Sequence, residues 1–211
     1  MRSSFRTAAL VFSAPLIAGA VAAPAAAKPG SADSSAAATR AVKSVDGGVT
    51  RLTIAPGVAK ALLGAGIRPL PKAPATASAI QLNAGKTVRY AFRITGGSLN
   101  LKKVDGAIWH SGGLQFYNAK NRKSLTVRNF RVVLGSAPKL TGYVPALNTR
   151  IAVFDLNLAK AKITPTRSGV RVENVSAKLT SGAAKGLNGA LGTRVFAAGL
   201  PVGTASVNAE L

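Results

Sequence analysis

Apolar and polar side chains alternate along several short segments of this chain, and this alternation restricts the fold more than any other feature. Over residues 87–94 every second side chain is apolar, and those between them are basic or small. A period of two places alternate side chains on opposite faces of an extended strand. The segment therefore predicts a β-strand with one face in a core and one basic face in water.

The same period predicts further strands, which are separated by glycine-containing turns. These strands cover residues 49–54, 98–103, 107–110, 114–117, 170–175 and 202–207. The pairs Gly96-Gly97 and Gly112-Gly113, with Asp105-Gly106, lie between strand segments and predict tight turns.

Two longer strand segments change phase part of the way along. In residues 124–134, Leu125 and Val127 share one parity, whereas Phe130 and Val132 share the other. A β-bulge near Arg128-Asn129 would insert the extra residue that this change requires. The same change in residues 151–158 predicts a second bulge.

Two short helices interrupt the strand pattern. Pro56 opens GVAKALLGAG, which Gly66 ends, and Thr180 precedes SGAAKGLNGAL, which Gly192 ends. Between them RPLPKAPATAS holds three prolines and predicts an extended loop. The whole pattern predicts a mainly β fold, a curved antiparallel sheet or a β-sandwich, with roughly seven to ten strands and two short helices.

The N-terminus has the composition of an export signal. Arg2 and Arg6 precede an apolar run over residues 7–23, and Ala25-Ala26-Ala27 offers small residues for cleavage. We expect a secretory signal peptide over residues 1–27; a membrane anchor is the alternative, although Pro15 interrupts the run. The mature chain is then predicted to be secreted, without a transmembrane span and associated with the cell wall.

Composition divides the remaining chain into two parts. Residues 28–45 are rich in Ala and Ser without apolar periodicity and predict a flexible tether. Residues 46–211 predict a single β-rich domain, which is long enough to bury its own core.

The chain has few groups for catalysis. It contains no cysteine, one histidine and six carboxylates, whereas general acid–base chemistry usually needs histidine or paired carboxylates. The segment Gly85-Lys86-Thr87 resembles the end of a phosphate-binding loop, but Ile80 stands where its first glycine belongs. We therefore predict a binding protein that is not an enzyme.

The net charge of +22 indicates an anionic partner or a solubilising surface. Basic residues recur on the polar parity of the predicted strands and can attract envelope polymers or acidic headgroups. Proteins that bind single-stranded nucleic acid also need exposed aromatic side chains on which the bases stack, and this chain has few aromatic residues. We expect no specific nucleic-acid partner.

His110 is the candidate for ligand chemistry. It follows Trp109 and precedes Ser111, Gly112 and Gly113, a predicted turn where a flat ligand can approach the backbone. Imidazole can ligate iron or donate a hydrogen bond to a ligand. The alternative is an exposed turn histidine without function.

The order of segments resembles the HtaA domain family of exported actinobacterial haem-transport proteins over about residues 97–207. The matching stretches are GAIWHSGGLQF, SLTVRNFRVVL, LTGYV, IAVFDLNL, GVRVENVSAKLTSGAAKGLN and VFAAGLPVGTASV. The opening tryptophan-containing motif of the family is absent before Tyr90. The chain therefore resembles a divergent member of this family with a single domain.

The resemblance implies a secreted, non-catalytic module that binds haem or another anionic ligand. Arg89 or Arg93 would pair with propionates, and His110 or Tyr117 is the candidate iron ligand. The alternative function is a structural envelope protein attached to anionic wall polymers. The candidate ligand-binding residues are His110, Trp109, Tyr90, Tyr117, Tyr143, Arg89 and Arg93.

Overall fold

The structure is a computed structural model that describes residues 42–211, and it is mainly β. The strands are β1 Val42–Ser44, β2 Gly47–Ile54, β3 Ile67–Lys72, β4 Thr76–Leu82, β5 Gly85–Asn100, β6 Asp105–His110, β7 Gly113–Asn118, β8 Ser124–Leu134, β9 Lys139–Val144, β10 Thr149–Asn157, β11 Lys162–Thr166, β12 Gly169–Leu179 and β13 Pro201–Glu210. The helices are α1 Pro56–Gly64 and α2 Ser181–Leu191, with a 3₁₀ turn at Pro145–Leu147.

Eight antiparallel strands form a sheet that closes on itself. Strands β5, β2, β13, β12, β10, β9 and β8 follow one another, and β6 pairs with both β5 and β8. The predicted mainly β class with a curved antiparallel sheet is confirmed. Closure gives the sheet an inner face, where alternate side chains of every strand meet in the core.

The predicted hairpin at Gly112-Gly113 is wrong. Strands β6 and β7 do not pair with each other; both pair with β8 and run in the same direction beside it. The glycines allow close packing instead, because a Cβ on Gly113 would lie 2.5 Å from the Val127 carbonyl oxygen. His110 therefore lies at the junction of two strands and not on an exposed turn.

The predicted turn at Gly96-Gly97 is also wrong. Strand β5 continues for 16 residues, with a register shift between Ile94 and Gly96. The chain turns at residues 101–104, where Val104 has a φ of 51°. A β-branched side chain strains the backbone in this left-handed region.

Several local predictions are confirmed. The register shifts between Arg128 and Arg131 and between Ala152 and Phe154 are the two bulges. Helix α1 begins at Pro56. The Thr180 hydroxyl accepts a hydrogen bond from the Ala183 amide at 3.1 Å and so caps α2, which ends at Gly192 in the left-handed conformation.

The proline-rich segment forms strands and not the predicted loop. Strand β3 pairs with β7, and β4 pairs with β5. Pro69 and Pro71 are tolerated because β3 has a single neighbour, so the missing amide donors leave no second strand unpaired.

The predicted signal peptide and most of the predicted tether lie outside the described residues. The last part of the tether segment is described: Val42–Ser44 pair with β5, and Val45 is buried. The described β structure therefore includes residues before residue 46. No helix within residues 42–211 is long and apolar enough to cross a membrane.

Within residues 42–211 the core has two apolar clusters, one at each end of the closed sheet. Both helices follow strands that leave the same end, and their buried side chains Leu62, Leu187 and Leu191 join the larger cluster. The smaller cluster includes Ile94 and Leu99 at the other end. No helix of the described chain covers that end.

We expect Gly113→Ala to lower the free energy of unfolding by about 1–3 kcal/mol, because the new methyl group overlaps the β8 backbone. Gly186→Ala, in α2, should raise it by about 0.5–1 kcal/mol, because a methyl group added there has no other atom within 4 Å. Urea unfolding of both variants measures the difference. Equal effects would contradict the close-packing role of Gly113.

Candidate functional site

His110 lies inside the closed sheet in a short polar chain. Only 4% of its surface is exposed. Its Nε2 lies 2.7 Å from the Thr50 hydroxyl of β2, and its Nδ1 lies 3.2 Å from the Phe130 carbonyl oxygen of β8. Because a carbonyl only accepts, Nδ1 carries the proton and Nε2 accepts from Thr50.

Burial lowers the pKa of His110 to about 4, although its hydrogen bond with the Phe130 backbone favours the charged form. The imidazole is therefore neutral near pH 7. Both ring nitrogens are used within the fold, so His110 presents no free nitrogen to a ligand in this conformation.

A groove lies beside α1. Its volume is about 1020 Å³, just above the roughly 300–1,000 Å³ typical of small-molecule sites. Helix α1, β3 and the β4–β5 turn form its walls. Leu63 and Leu70 contribute exposed apolar surface, and Lys60, Arg68 and Lys86 are its charged lining residues.

This lining suits an amphipathic anion. Its apolar side chains can cover a flat hydrophobic surface, and its three basic residues can pair with carboxylates or phosphates. The lining contains no carboxylate that would oppose this charge. The groove therefore has the chemistry of a site for an apolar molecule with anionic groups at its edge.

Tyr90 is the only histidine, cysteine, methionine or tyrosine side chain in the groove lining. Its hydroxyl donates a 2.7 Å hydrogen bond to the Pro69 carbonyl oxygen. Burial raises the pKa of Tyr90 to about 12, which disfavours the phenolate that binds iron. The groove therefore offers apolar surface and basic groups but no free iron ligand in this conformation.

Three arginines and two aromatic rings form a second surface, the arginine face, on the outside of β6, β8, β9 and β10. Its residues are Trp109, Arg128, Arg131, Tyr143 and Arg150. The Arg131 guanidinium lies 5.5 Å from the Trp109 ring centre, and that of Arg128 lies 6.0 Å from the Tyr143 ring centre.

Arg150 is held within this surface. It donates hydrogen bonds to the Asn129 carbonyl oxygen at 2.9 Å and to the Thr141 hydroxyl at 3.3 Å. Desolvation, and then repulsion by Arg131, lower its pKa. Within residues 42–211 the only ion pair joins Lys139 and Asp155, so no described carboxylate neutralises the arginine face.

The remaining predicted site residues lie elsewhere. Arg89 lies on the outside of β5 and donates from Nε to the Thr53 hydroxyl at 3.2 Å. Arg93 is exposed further along β5. Tyr117 is half-buried on β7, opposite Arg68 of β3. The seven candidates are thus divided between the sheet interior, the groove floor and the outer surface.

Sequence reasoning missed the charged residues of the groove. Lys60 lies in the predicted helix, Arg68 in the predicted loop and Lys86 near the start of a strand, so no local motif joins them. The sequence signal for this groove was Leu63, an apolar residue that follows Lys60 by three positions in the predicted short helix. Only the packing of α1 against β3 and β5 brings the three cations to one groove.

No protein-family model and no curated protein matches the chain. Among solved structures, the C-terminal domain of HtaA from Corynebacterium glutamicum matches 79% of this chain and 98% of that chain, with a TM-score of 0.55 and 13% identity. The predicted resemblance to the HtaA domain family is therefore confirmed at the level of the fold.

Two further structures from Corynebacterium glutamicum are more distant. A domain-swapped dimer of a variant of the same HtaA domain has a TM-score of 0.45 and 13% identity over 92% of this chain and 100% of that chain. The haem-binding protein HtaB has a TM-score of 0.44 and 9% identity over 80% of this chain and 95% of that chain.

The buried histidine predicts that the fold loses stability in acid. Between the usual pKa of 6.5 and the folded value of about 4, only the unfolded chain binds the proton, so stability falls as pH falls through this window. At about 1.4 kcal/mol per pH unit, the loss from pH 6.5 to pH 5 should be about 2 kcal/mol.

Urea unfolding at about pH 7 and pH 5 measures this loss. His110→Gln is the matched variant, because it keeps a polar side chain but cannot titrate in this range. Between these two pH values, the free energy of unfolding of the variant should fall by about 2 kcal/mol less than that of the natural chain. An equal change in both proteins would rule out His110 as the titrating group.

Proposed function

We propose that the protein is a non-catalytic binding module for a haem-like amphipathic anion, held in the groove beside α1. The observation that carries this proposal is an open groove of about 1020 Å³ that combines exposed leucines with three basic residues. The fold shared with the HtaA C-terminal domain supports it. So does the sequence resemblance to a family of haem-transport proteins.

The groove residues have separate roles in this proposal. Leu63 and Leu70 cover the flat apolar face of the ligand and exclude water from it. Lys60, Arg68 and Lys86 pair with its carboxylates and fix its orientation. Bound iron would supply redox or ligand-exchange chemistry, but the proposed binding depends on the periphery of the ligand.

The proposed setting is outside the cell. The basic and apolar N-terminal run supports export, and the net charge of +22 suits an envelope rich in anionic polymers. The chemistry of the described residues supports binding over catalysis. Their only histidine is neutral and hydrogen-bonded, and they contain no cluster of three or more His, Cys, Asp or Glu side chains.

Titration with haem and with metal-free protoporphyrin tests the proposal. Both should bind stoichiometrically in about 0.5 M salt, with affinities within about tenfold of each other, because no lining residue offers a free iron ligand. Absorption and tryptophan fluorescence follow the binding. Failure of both compounds to saturate would remove the proposed function.

Matched variants locate the site. Lys60→Ser with Arg68→Ser should lower the affinity for either compound roughly tenfold, since each partly exposed ion pair contributes up to about 1 kcal/mol. Lys123→Ser with Lys185→Ser removes the same charge outside the groove and should have little effect. An equal loss in both pairs would indicate general charge attraction and not groove binding.

The arginine face favours a second function, attachment to anionic wall polymers. Three arginines, two of them already stacked on aromatic rings, present donors without a neutralising carboxylate. Such a surface binds repeated phosphates or carboxylates by exchanging counterions. Salt separates this function from the first, because polymer binding weakens steeply with ionic strength.

Binding to a poly(glycerol phosphate) chain measures the second function. The logarithm of the affinity should fall linearly with the logarithm of salt concentration, and Arg128→Ser with Arg131→Ser should reduce that slope by roughly 1–2. The pair Lys123→Ser and Lys185→Ser is again the control. A slope that changes equally in both pairs would exclude a dedicated polymer site at the arginine face.

A further inference from the structure

Four strands of the sheet have a neighbour on one side only within residues 42–211. They are β1, β3, β4 and β11, whose partners are β5, β7, β5 and β12. The free side of such an edge strand presents main-chain N–H and C=O groups to which another extended chain can bond. Natural proteins usually protect these edges with proline, lysine, a bulge or a short strand.

Three of these four edges are protected. Strand β1 spans three described residues, and β11 contains Lys162 and Pro165. On β3, the Pro69 carbonyl oxygen accepts from the Tyr90 hydroxyl of β5, on the side away from β7. Pro71, two residues further on, points the same way, so two free-side positions of β3 have no amide hydrogen.

Strand β4 has none of these protections. Its seven residues, TASAIQL, include no proline and no charged side chain, and none of them is buried. Its pairing with β5 runs from Thr76 to Leu82 without a register shift. In the described part of the chain β5 is its one neighbouring strand, so β4 leaves an edge on which another strand can add.

The register with β5 shows which main-chain groups of β4 are on the free side. The Arg93 carbonyl oxygen of β5 accepts from the Ser111 amide, on the side where β6 and β4 lie. Main-chain groups alternate in direction, so Arg89 points the same way and forms a hydrogen-bonded pair with Ser78. Alternate residues of β4 therefore turn their amide and carbonyl groups away from β5. They are Ala77, Ala79 and Gln81, and all three are exposed.

The charged side chains around β4 are basic. Lys72 ends β3 just before the turn that leads to β4, and Lys86 and Arg89 lie on the part of β5 that pairs with β4. Residues 72–93 contain no carboxylate. The side-chain carboxylates of the described chain lie at the end of the sheet without helices, and they are Asp46, Asp105, Asp155, Glu173 and Glu210. This charge distribution favours acidic side chains in a strand added to β4.

We propose that β4 binds an extended acidic segment of another protein, which adds to the sheet as a further strand. The amide and carbonyl groups of Ala77, Ala79 and Gln81 bond to the main chain of that segment. Lys72 and Lys86 pair with its carboxylates. Charge complementarity selects this occupant over a second copy of the chain, because a copy would bring its own lysines to the same edge.

This inference goes beyond ligand binding in the groove. No residue of β4 lines the groove, so the main-chain bonds to an added strand do not depend on a groove ligand. Loss of porphyrin binding would leave strand addition intact, and the two proposals can fail independently.

Amide hydrogen exchange of the full chain, followed by NMR, tests the edge. The probe is a seven-residue peptide that alternates glutamate with valine. Without peptide, the amides of Ala77, Ala79 and Gln81 should exchange faster than those of Ser78 and Ile80, which bond to β5. Peptide at about ten times its dissociation constant should slow the first three about tenfold. Unchanged exchange at these three positions would overturn the proposal.

Modified peptides separate main-chain bonding from charge attraction. A peptide with the same side chains and N-methylated amides keeps its charge but cannot donate main-chain hydrogen bonds. By fluorescence anisotropy it should bind at least about tenfold more weakly than the parent peptide, because two or more main-chain bonds are lost. Equal affinities of the two peptides would rule out strand addition.

A proline on the free side of β4 tests the same bonds from the protein. Ala79→Pro removes an amide that points away from β5, so the pairing with β5 is kept, and it should weaken peptide binding about tenfold. Ala79→Ser keeps the amide and is the matched control. Equal affinities of the two variants would place the peptide elsewhere and contradict the proposal. If the proline variant does not fold, the methylated peptide decides the question with the natural chain.

Paired lysine substitutions test the charge selection. Lys72→Ser with Lys86→Ser should lower the affinity for the glutamate peptide roughly tenfold at low salt. Lys123→Ser with Lys185→Ser removes the same charge elsewhere and should have little effect. An equal loss in both pairs would show general attraction to a basic protein and not recognition at β4.

A second copy of the chain is the competing occupant of this edge. Sedimentation equilibrium of the natural chain would then give a dimer, and Ala79→Pro would convert it to a monomer. That result would overturn the acidic segment as the occupant. A monomer whose binding to the glutamate peptide is lost in the same variant supports it.

Discussion

The double pairing of β6 is the constraint on which the rest of the molecule depends. This six-residue strand pairs with β5 on one side and β8 on the other, so it closes the sheet. Its last residue, His110, links β2 and β8 through its two ring nitrogens and fixes the strand from inside. Every buried side-chain nitrogen and oxygen within residues 42–211 has a hydrogen-bond partner, so this polar chain is accommodated without an unpaired group.

Closure also makes the two ends of the sheet chemically different. Strands β2 and β12 each continue into a helix at one end, where α1 and α2 bury leucines over the larger core cluster. No helix of the described chain covers the opposite end, where aliphatic side chains such as Leu101 and Ile163 line an apolar cavity. The groove, the opposite end and the arginine face thus arise from one fold but present different surfaces.

Local patterns in the sequence predict local structure well here. The alternation at residues 87–94, the two phase changes, Pro56 and Thr180 all specify features that depend on nearby residues. The glycine pairs are different, because Gly96-Gly97 and Gly112-Gly113 lie within or between strands that pass close to another backbone. Their sequence is the same as that of a turn. The neighbours that leave room only for glycine, such as Val127 beside Gly113, lie on a different strand. Hydrophobic period and composition alone therefore do not distinguish a glycine pair in a turn from one packed against another strand.

The sequence by itself determined the β class, the bulges, both helices and the excess of positive charge, because each follows from a short-range period, a cap or a composition. It also singled out His110 and Tyr90 as unusual side chains. Only the tertiary structure decided their roles: closure of the sheet turned His110 inward toward Thr50, and packing of α1 against β3 placed Tyr90 under a basic groove. Contacts between residues up to 60 positions apart in the chain make these choices. A local pattern does not encode which distant strand becomes the neighbour, and that neighbour decides whether a polar atom is free for a ligand or used by the fold.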